Sequence, residues 1–285
     1  MSAALLRTPM ASIDLRSAVD VERFGGKASA LADMLGAGLP VPEGWAIGVD
    51  LLDAFVDGRA DARDAVAALG RLVDAGGDEA LAYAVRSSAV DEDSSSASFA
   101  GQHVSVLGVR GASALHEALR AVWNSAHSEA ARAYRRRLGL SESARIAAVV
   151  QRMLAPEISG VLFTRHPVSG AAERVIEATW GLGEAVVAGL VTPDYVRVSA
   201  TGETLEYLVG DKDVEIVMLN SGGTEERSVD AARAEAPCLD HAQLSALHRL
   251  ATVVDDAQPS PRGWDLEWAI EGGGLYLLQR RAITR

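Results

Sequence analysis

Five short runs of β-branched and aromatic residues lie between residues 146 and 219, and they constrain the fold more than any other feature of the sequence. Their lengths are typical of strands, and Gly, Pro or Asp residues bound several of them. This part of the chain therefore predicts a mixed β-sheet. The runs cover residues 146–150, 159–163, 174–178, 195–198 and 214–218.

Helical patterns lie on both sides of these strands. Between residues 21 and 140, apolar residues recur at helical spacing, as at Leu115, Leu119 and Val122. The patterns predict a short helix over residues 29–35 and a helix that runs from Ser113 to the basic residues 135–137, with Gly139 as its stop.

After the strands, Asp240 and Gln243 have the spacing of a capping box, which predicts one more helix. Its predicted buried stripe consists of Leu244, Leu247, Ala251 and Val254. Residues 265–270 and 275–279 then predict a hairpin across three glycines. The pattern indicates an α+β fold.

The composition excludes several classes of protein. The chain has 285 residues, 48% hydrophobic and 23% charged, which is enough for a large core and argues against disorder. A formal net charge of −12 argues against binding to nucleic acid or to anionic membranes, so a phosphate ligand would be held by local basic groups. Cys238 is the only cysteine, which excludes an intrachain disulfide, and we interpret it as a buried filler. Without an apolar run of about 18 residues, the sequence predicts a cytoplasmic protein with no membrane span.

Two segments in the first 102 residues carry groups that suit phosphates. Gly25-Gly26-Lys27 precedes a helix, where glycines let backbone amides approach an anion and a lysine adds charge. It is not a Walker A loop, because Ala28 follows the lysine where that motif needs Ser or Thr. Residues 86–102 begin with Arg86 and contain many small hydroxyl residues, and such a loop can cover a polyphosphate. A solvated helix start and a loop without a ligand are the alternatives.

Two further motifs lie in the second half of the chain. Gly181-Leu182-Gly183-Glu184 lacks the third glycine of a dinucleotide fingerprint, so it is either the edge of a pocket or a plain tight turn. In the C-terminal hairpin, strand alternation places Glu267 and Gln279 on one face, with Arg281 on the same face as Gln279. Oxygen ligands beside a cation are suited to Mg²⁺ bound with ATP phosphates.

The remaining residues give no other catalytic pattern. None of the six histidines lies in a pair with the spacing of metal ligands, and no Gly-x-Ser-x-Gly string occurs. The sequence therefore does not support serine hydrolysis or a histidine metal centre.

Eight strings resemble, in order, the nucleotide-binding domain of the phosphoenolpyruvate synthase, pyruvate phosphate dikinase and rifampin phosphotransferase family. The resemblance covers nearly the whole chain. The strings are GGKASAL at 25–31, VPEGW at 41–45, VRSSA at 85–89, ASFAGQ at 97–102, VQRM at 150–153, SGVLFT at 159–164, WGLGE at 180–184 and DLEW at 265–268.

This resemblance implies an ATP-grasp fold, in which two α+β lobes, here residues 1–145 and 146–285, clasp ATP. It implies that Lys27 and Arg86 contact phosphates and that Arg281 supports the transferring phosphoryl group. The implied ligands of Mg²⁺ are Glu267 and Gln279. Residues 149–154 resemble the adenine-side hinge of the family. The other implied nucleotide contacts are Ser98, Gly101, Gln151, Met153, Leu154 and Glu184.

The resemblance also implies an ATP-dependent phosphotransferase. In the family, the phosphoryl group passes to a histidine on a swivelling domain and then to a substrate on a third domain. The sequence contains no Thr-Ser-His string, so we expect a partner polypeptide to supply the carrier histidine, the chain to be an excised domain, or a small molecule to be phosphorylated directly. A non-catalytic ATP-binding regulatory module is the alternative, although the retained cluster of charged residues favours catalysis.

Overall fold

The computed structural model describes residues 11–75, 81–91 and 104–283. The chain divides into two compact units, each built from two separate stretches of sequence. Unit 1 contains residues 11–29 and Gly44–Gln151, and unit 2 contains Ala30–Glu43 and residues 152–283. The second of these divisions lies near the lobe boundary expected at residues 145 and 146, whereas the assignment of residues 30–43 to unit 2 has no counterpart in the sequence patterns.

The described residues form α-helices and β-strands in an α+β arrangement, together with a short 3-10 helix at Leu15–Ser17. The helices are α1 Val21–Gly36, α2 Val49–Val56, α3 Ala60–Ala75, α4 Gly111–Ala126, α5 Glu129–Arg137, α6 Glu184–Val187, α7 Ala231–Ala234 and α8 His241–Ala257. The strands are β1 Ile13–Asp14, β2 Gly44–Ile47, β3 Tyr83–Ala89, β4 Ser105–Val109, β5 Ile146–Arg152, β6 Ile158–Phe163, β7 Glu173–Trp180, β8 Asp194–Ser199, β9 Thr204–Leu208, β10 Val214–Met218, β11 Thr224–Ser228, β12 Trp264–Glu271 and β13 Gly274–Ala282.

Unit 1 is a five-stranded sheet with helices packed against it. The strand order is β1-β2-β5-β3-β4. Apolar residues from α2, α3 and α4 form one buried cluster with side chains of β3 and β5, including Leu69, Leu119 and Ile146, all fully buried. Burial of such side chains is the main stabilising term of a unit of this kind.

The helical segment expected to run from Ser113 into the basic residues 135–137 is two helices. The break falls after α4, where the Ser128 side chain accepts a hydrogen bond from the backbone of Ala131 at 3.1 Å and so caps α5. Serine favours this position because its hydroxyl satisfies an N–H group that has no partner within the helix. The expected end of the helix at Gly139 is confirmed by the positive φ of that glycine, 71°.

Unit 2 contains a six-stranded sheet of order β13-β12-β6-β7-β8-β9 and a separate hairpin of β10 and β11. Every neighbouring pair in the larger sheet is antiparallel. Leu162, Ile176 and Leu266 are fully buried and lie on one face. Helix α8 packs on this face, where Arg174 of β7 forms an ion pair with Asp255 of α8 at 2.7 Å.

The predicted capping box of α8 is confirmed. The Asp240 side chain accepts from the Gln243 backbone, and the Gln243 side chain accepts from the Asp240 backbone, each at 2.8 Å. The predicted apolar stripe is also present, since Leu244, Leu247 and Val254 are buried. Local signals were therefore enough to predict both the start and the buried face of this helix.

A buried cluster of polar groups surrounds Asp194, the first residue of β8. The Asp194 carboxylate is fully buried and accepts from Lys212 Nζ at 2.5 Å, from the Tyr207 hydroxyl at 2.8 Å and from the Cys238 backbone at 2.7 Å. A buried charge needs such partners, because an unpaired one is strongly destabilising. The Cys238 thiol is buried as expected, and burial raises its pKa. No helix among the described residues combines the length and apolar character that crossing a membrane requires.

Candidate functional site

Lys27 and Arg86, the two predicted phosphate contacts of the first half, lie on neighbouring segments of unit 1. Lys27 follows a kink in α1, where Gly25 has φ 76° and ψ 169°, and the lysine residue is 9% exposed. Arg86 lies in β3 and is half-buried. Ser88, two residues further along β3, accepts a hydrogen bond from the Ala28 backbone at 3.0 Å. The lysine and the arginine are therefore carried by segments in direct contact.

The second predicted group lies on one face of the large sheet in unit 2. Glu267 of β12 is paired directly with Gln279 of β13, as the alternation predicted. On its other side, Glu267 is paired with Val161 of β6, which is paired in turn with Glu177 of β7. Residues in one row of a sheet point to the same face, so Glu177, Glu267 and Gln279 share a face.

Arg281 lies against both predicted metal ligands. Its Nη2 atom is 3.4 Å from Glu267 Oε1. With the Gln279 amide oriented so that its oxygen faces the guanidinium, that oxygen accepts from Arg281 Nε and Nη2. The C-terminal hairpin therefore brings a carboxylate, an amide oxygen and a guanidinium together, which confirms the predicted common face.

Asp265 adds a second carboxylate to this group. It is paired with Arg281 across the hairpin, and strand alternation places it on the face of Glu267. Its Oδ1 atom is buried and has no hydrogen-bond partner among the described residues. Burial raises the pKa of Asp265 to about 6, and the charge of Glu267 adds to the shift while Arg281 opposes it. Burial also raises the pKa of Glu177.

These groups fit a magnesium ion that arrives with a nucleotide. Within the described ranges, no set of three or more His, Cys, Asp or Glu residues could hold a metal ion. Mg²⁺ is usually held by one or two carboxylates together with substrate phosphates, so a small protein ligand set is what this ion requires. Glu267 and Gln279 carry hard oxygen atoms of the kind that Mg²⁺ prefers, and a bound cation would favour the ionised form of Asp265, whose pKa is raised first by burial and then by the charge of Glu267.

The Gly181-Leu182-Gly183-Glu184 motif forms a tight turn followed by the short helix α6, which begins at Glu184. The Leu182 backbone donates to the Ile216 carbonyl of β10 at 2.8 Å. Buried Ser159 of β6 donates to the Gly181 carbonyl at 2.6 Å. The turn is therefore held firmly at an end of the sheet, and the assignment of Glu184 as a nucleotide contact stays a prediction.

The residues of the predicted adenine hinge lie where the chain passes from unit 1 to unit 2. Gln151 is buried near the end of β5 and is paired with Gly44 of β2. Met153 and Leu154 are buried just after that strand. Glu271 Oε1 accepts from the Ala155 backbone at 2.6 Å, which fixes the chain beyond the hinge. Adenine binding at this segment stays a prediction.

The predicted contacts thus divide into two groups. Lys27 and Arg86 belong to unit 1, and Glu267, Gln279 and Arg281 belong to unit 2. Ser98 and Gly101 lie outside the described residues. The statement that both groups contact the same nucleotide stays a prediction.

Sequence reasoning did not identify Ser88, Asp265 and Glu177 as parts of these groups. Asp265 could have been found, because it precedes Glu267 by one alternation of the same strand. Glu177 had a weaker signal, a carboxylate in the middle of an otherwise apolar run. Ser88 belongs to the hydroxyl-rich segment 86–102, but its contact with Ala28 had no sequence signal, because the two residues lie 60 positions apart.

Comparisons with a family model and with individual proteins point to the same family. The family model described as "Pyruvate phosphate dikinase, AMP/ATP-binding domain" matches residues 60–285. A rifampicin phosphotransferase of Streptomyces sviceus is 41% identical over 72% of this chain and 24% of its own length. A probable phosphoenolpyruvate synthase of Archaeoglobus fulgidus is 34% identical over 93% of this chain and 40% of its own length. The prodigiosin synthesizing transferase PigC of Serratia marcescens is 34% identical over 93% of this chain and 32% of its own length. The chain spans well under half the length of each of these relatives.

Proposed function

Because the chain belongs to the pyruvate phosphate dikinase family of AMP/ATP-binding domains, we propose that it binds ATP with Mg²⁺ and acts as the nucleotide component of an ATP-dependent phosphotransferase. The acceptor is a carrier histidine on a partner polypeptide or a small molecule that is phosphorylated directly.

The observation that carries this proposal is the cross-strand pair of Glu267 and Gln279 with Arg281 against both. This strand face is partly exposed, and it collects three carboxylates, an amide oxygen and one guanidinium. Groups with perturbed pKa values collected in this way are typical of functional sites. The nearby Asp265, with its raised pKa, supports the same interpretation.

The proposed chemistry relies on charge neutralisation and alignment. Phosphoryl transfer requires little covalent chemistry from the protein, because charge is spread over the oxygens of the transferring group. Lys27 and Arg86 hold phosphate oxygens, and Arg281 stabilises the charge on the transferring group. When bound, Mg²⁺ would supply further neutralisation of phosphate charge, with Glu267 and Gln279 as its protein ligands.

Calorimetric titration tests the binding part of the proposal. We expect ATP to bind in the presence of Mg²⁺, with a dissociation constant in the micromolar to millimolar range, and to bind at least about 10-fold more weakly in EDTA. Glu267→Gln should remove most of this metal dependence, whereas Glu226→Gln, at an exposed position of β11, should leave it unchanged. Equal affinity of the wild type with and without Mg²⁺ would contradict the metal assignment.

Turnover with candidate acceptors tests the catalytic part. Lys27→Ala, Arg86→Ala and Glu267→Ala should each lower ATP consumption by about 100-fold or more while the protein stays folded. Formation of AMP would indicate the relay known for the family, and ADP would indicate direct transfer of the γ-phosphoryl group. Retained turnover in all three variants would contradict the site. Thermal stabilisation by ATP without consumption under any acceptor would favour the regulatory alternative.

A further inference from the structure

Helix α1 starts again after a break at Gly25. The first turn is tied to Asp20, whose carbonyl accepts from the Phe24 backbone at 2.8 Å. Gly25 then leaves the helical conformation, with φ 76°, and the helix resumes at Gly26. The first N–H groups of a helix have no partner within it, and the side chain of the residue just before the helix usually accepts from one of them. Gly25 has no side chain to fill this role.

Ser88 supplies the missing acceptor from another element. Its hydroxyl accepts from the Ala28 backbone at 3.0 Å, at the position that a capping side chain normally serves. A Cβ atom on Gly25 would lie 2.2 Å from the Ser88 carbonyl oxygen, so only glycine permits this close approach. The positive φ of Gly25 independently favours glycine. The break in α1 and strand β3 are therefore fitted to each other.

Two further contacts bind the start of α1 to the same sheet. Arg145, which directly precedes β5, forms an ion pair with Glu22, and its Nη2 atom donates to the Glu22 carbonyl at 2.6 Å. The Arg145 carbonyl accepts from the Val90 backbone just beyond β3, at 3.2 Å. Among these contacts, only that of Ser88 is fully buried and reaches the residue next to Lys27.

We propose that Ser88 is a positioning residue for the phosphates of a nucleoside triphosphate. By capping the helix at Ala28, its hydroxyl fixes Lys27 relative to Arg86, which projects from the same face of β3 as Ser88. Both cations then contact one polyphosphate in a fixed arrangement. Because the lysine is already ordered before the nucleotide binds, binding does not carry the entropic cost of ordering it. This inference rests on the proposed function, because it assumes that Lys27 contacts phosphate.

The phosphate-dependent part of nucleotide binding tests the inference. For each variant, the affinity for ATP in the presence of Mg²⁺ is divided by the affinity for adenosine, measured by competition. Ser88→Ala should lower this ratio by about 5- to 10-fold, the factor that corresponds to a lost helix cap. A general loss of structure would instead weaken both ligands and leave the ratio unchanged. In a Lys27→Met background, Ser88→Ala should change the ratio by less than about 2-fold, because the lysine through which it acts is absent.

Ser87 provides a matched control one residue away. It is equally buried, but it lies on the opposite face of β3, and its hydroxyl has no hydrogen-bond partner among the residues described. Ser87→Ala should therefore leave the ratio unchanged. If Ser88→Ala does not fold, Ser88→Cys keeps a similar side-chain volume with a weaker acceptor and should lower the ratio in the same direction.

The outcomes separate this inference from the proposed function. Wild-type protein that does not prefer ATP to adenosine would overturn both. Wild-type protein that prefers ATP, together with a folded Ser88→Ala or Ser88→Cys variant of unchanged ratio, would overturn the positioning role alone. A loss of equal size in the Lys27→Met background would also overturn it, since Ser88 would then act independently of the lysine.

Discussion

At the scale of single residues, Asp265 is held where ionisation of its carboxylate is unfavourable. One of its oxygens is buried without a partner among the described residues, and Glu267 lies on the same strand face. The pKa of Asp265 is raised to about 6 as a result. An acid whose folded pKa exceeds its unfolded value destabilises the fold at every pH at which it is ionised. A residue kept under such conditions points to a role in binding.

Asp265→Asn should therefore stabilise the protein in EDTA at pH 7.5. The shift of about two units corresponds to at most about 3 kcal/mol, and we expect about 1 to 3 kcal/mol in the free energy of unfolding. The advantage of asparagine should be small near pH 4, where the aspartate is protonated in the folded chain and roughly 40% protonated in the unfolded chain. It should grow as the pH rises to about 6 and stay level above that. Urea unfolding of the wild type and of Asp265→Asn across this pH range measures the difference in the free energy of unfolding.

Glu226→Gln is the control, because it removes a carboxylate from an exposed position of β11. Its effect on unfolding should be within about 0.5 kcal/mol at every pH. A destabilising effect of Asp265→Asn at pH 7.5 would contradict the electrostatic description of this face.

Site residues could be predicted from the sequence when a single local pattern, such as strand alternation in one hairpin, contains all of them. Glu267, Gln279 and Arg281 lie on a single hairpin, so strand alternation was enough to group them. The contact of Ser88 with Ala28 depends on the packing of a strand against a helix 60 residues away, which no local pattern records. The link between Lys27 and Arg86 therefore required the structure.

At the scale of elements, strand β6 lies very close to its neighbour β7 in the middle of the large sheet. A Cβ atom on Gly160 would lie 1.9 Å from the carbonyl oxygen of Glu177 and 2.9 Å from the Trp268 ring. Trp268 is fully buried, so the ring has little freedom to move. The position of Glu177 on the site face therefore depends on glycine in the neighbouring strand.

Gly160→Ala should destabilise the protein by about 2 kcal/mol or more, because the added methyl group forces strand separation or a shift of the tryptophan. The melting temperature and the free energy of unfolding in urea measure the effect. Gly36→Ala is the matched change, since no atom lies within 4 Å of its Cβ position at the end of α1. It should be neutral or stabilising by up to about 1 kcal/mol. Equal effects of the two changes would contradict the crowding at Gly160.

Element bounds were predicted best where two local signals agreed. Strand β10 lies at the expected residues 214–218, and α8 begins at its capping box. The helix expected over residues 29–35 starts earlier, at Val21, because a helical turn precedes Gly25 and is closed by the hydrogen bond from Phe24 to the Asp20 carbonyl. Apolar periodicity alone gave no indication that helical structure would form on both sides of this glycine.

At the scale of the whole molecule, neither compact unit is a continuous piece of sequence. Residues 30–43 belong to the unit that otherwise begins at Arg152. The Pro40 carbonyl accepts from the Leu277 backbone of β13, and the Glu43 carbonyl accepts from the Arg152 backbone, each at 2.8 Å. Because β13 is the edge strand of its sheet, the segment at Pro40 satisfies a donor that would otherwise lack a partner in the sheet.

This arrangement could not be predicted from zones of composition. The helix-rich first half and the strand-rich second half suggested a single boundary near residue 145. The assignment of residues 30–43 to unit 2 depends on long-range packing. The apolar residues that pack there, such as Leu39 and Val41, cannot be distinguished in the sequence from other core positions. Pattern reasoning assigns residues to elements, whereas the assignment of elements to units needs contacts.

A fragment of residues 152–285 should consequently fold poorly on its own. Joining residues 30–43 to its start through a short Gly-Ser linker should restore a single cooperative unfolding transition, because Glu43 and Arg152 are already hydrogen-bonded neighbours. Restored burial of Leu39 and Val41 should raise the free energy of unfolding by at least about 2 kcal/mol.

Urea titration followed by circular dichroism measures this difference, and a fusion that carries a scrambled 30–43 sequence is its control. The scrambled fusion should behave like the bare fragment, since added length without the matching contacts contributes no burial. A bare fragment with the same midpoint as the correct fusion would mean that residues 30–43 pack on unit 2 without stabilising it. In that case a single cut at residue 151 would be enough to separate the two units.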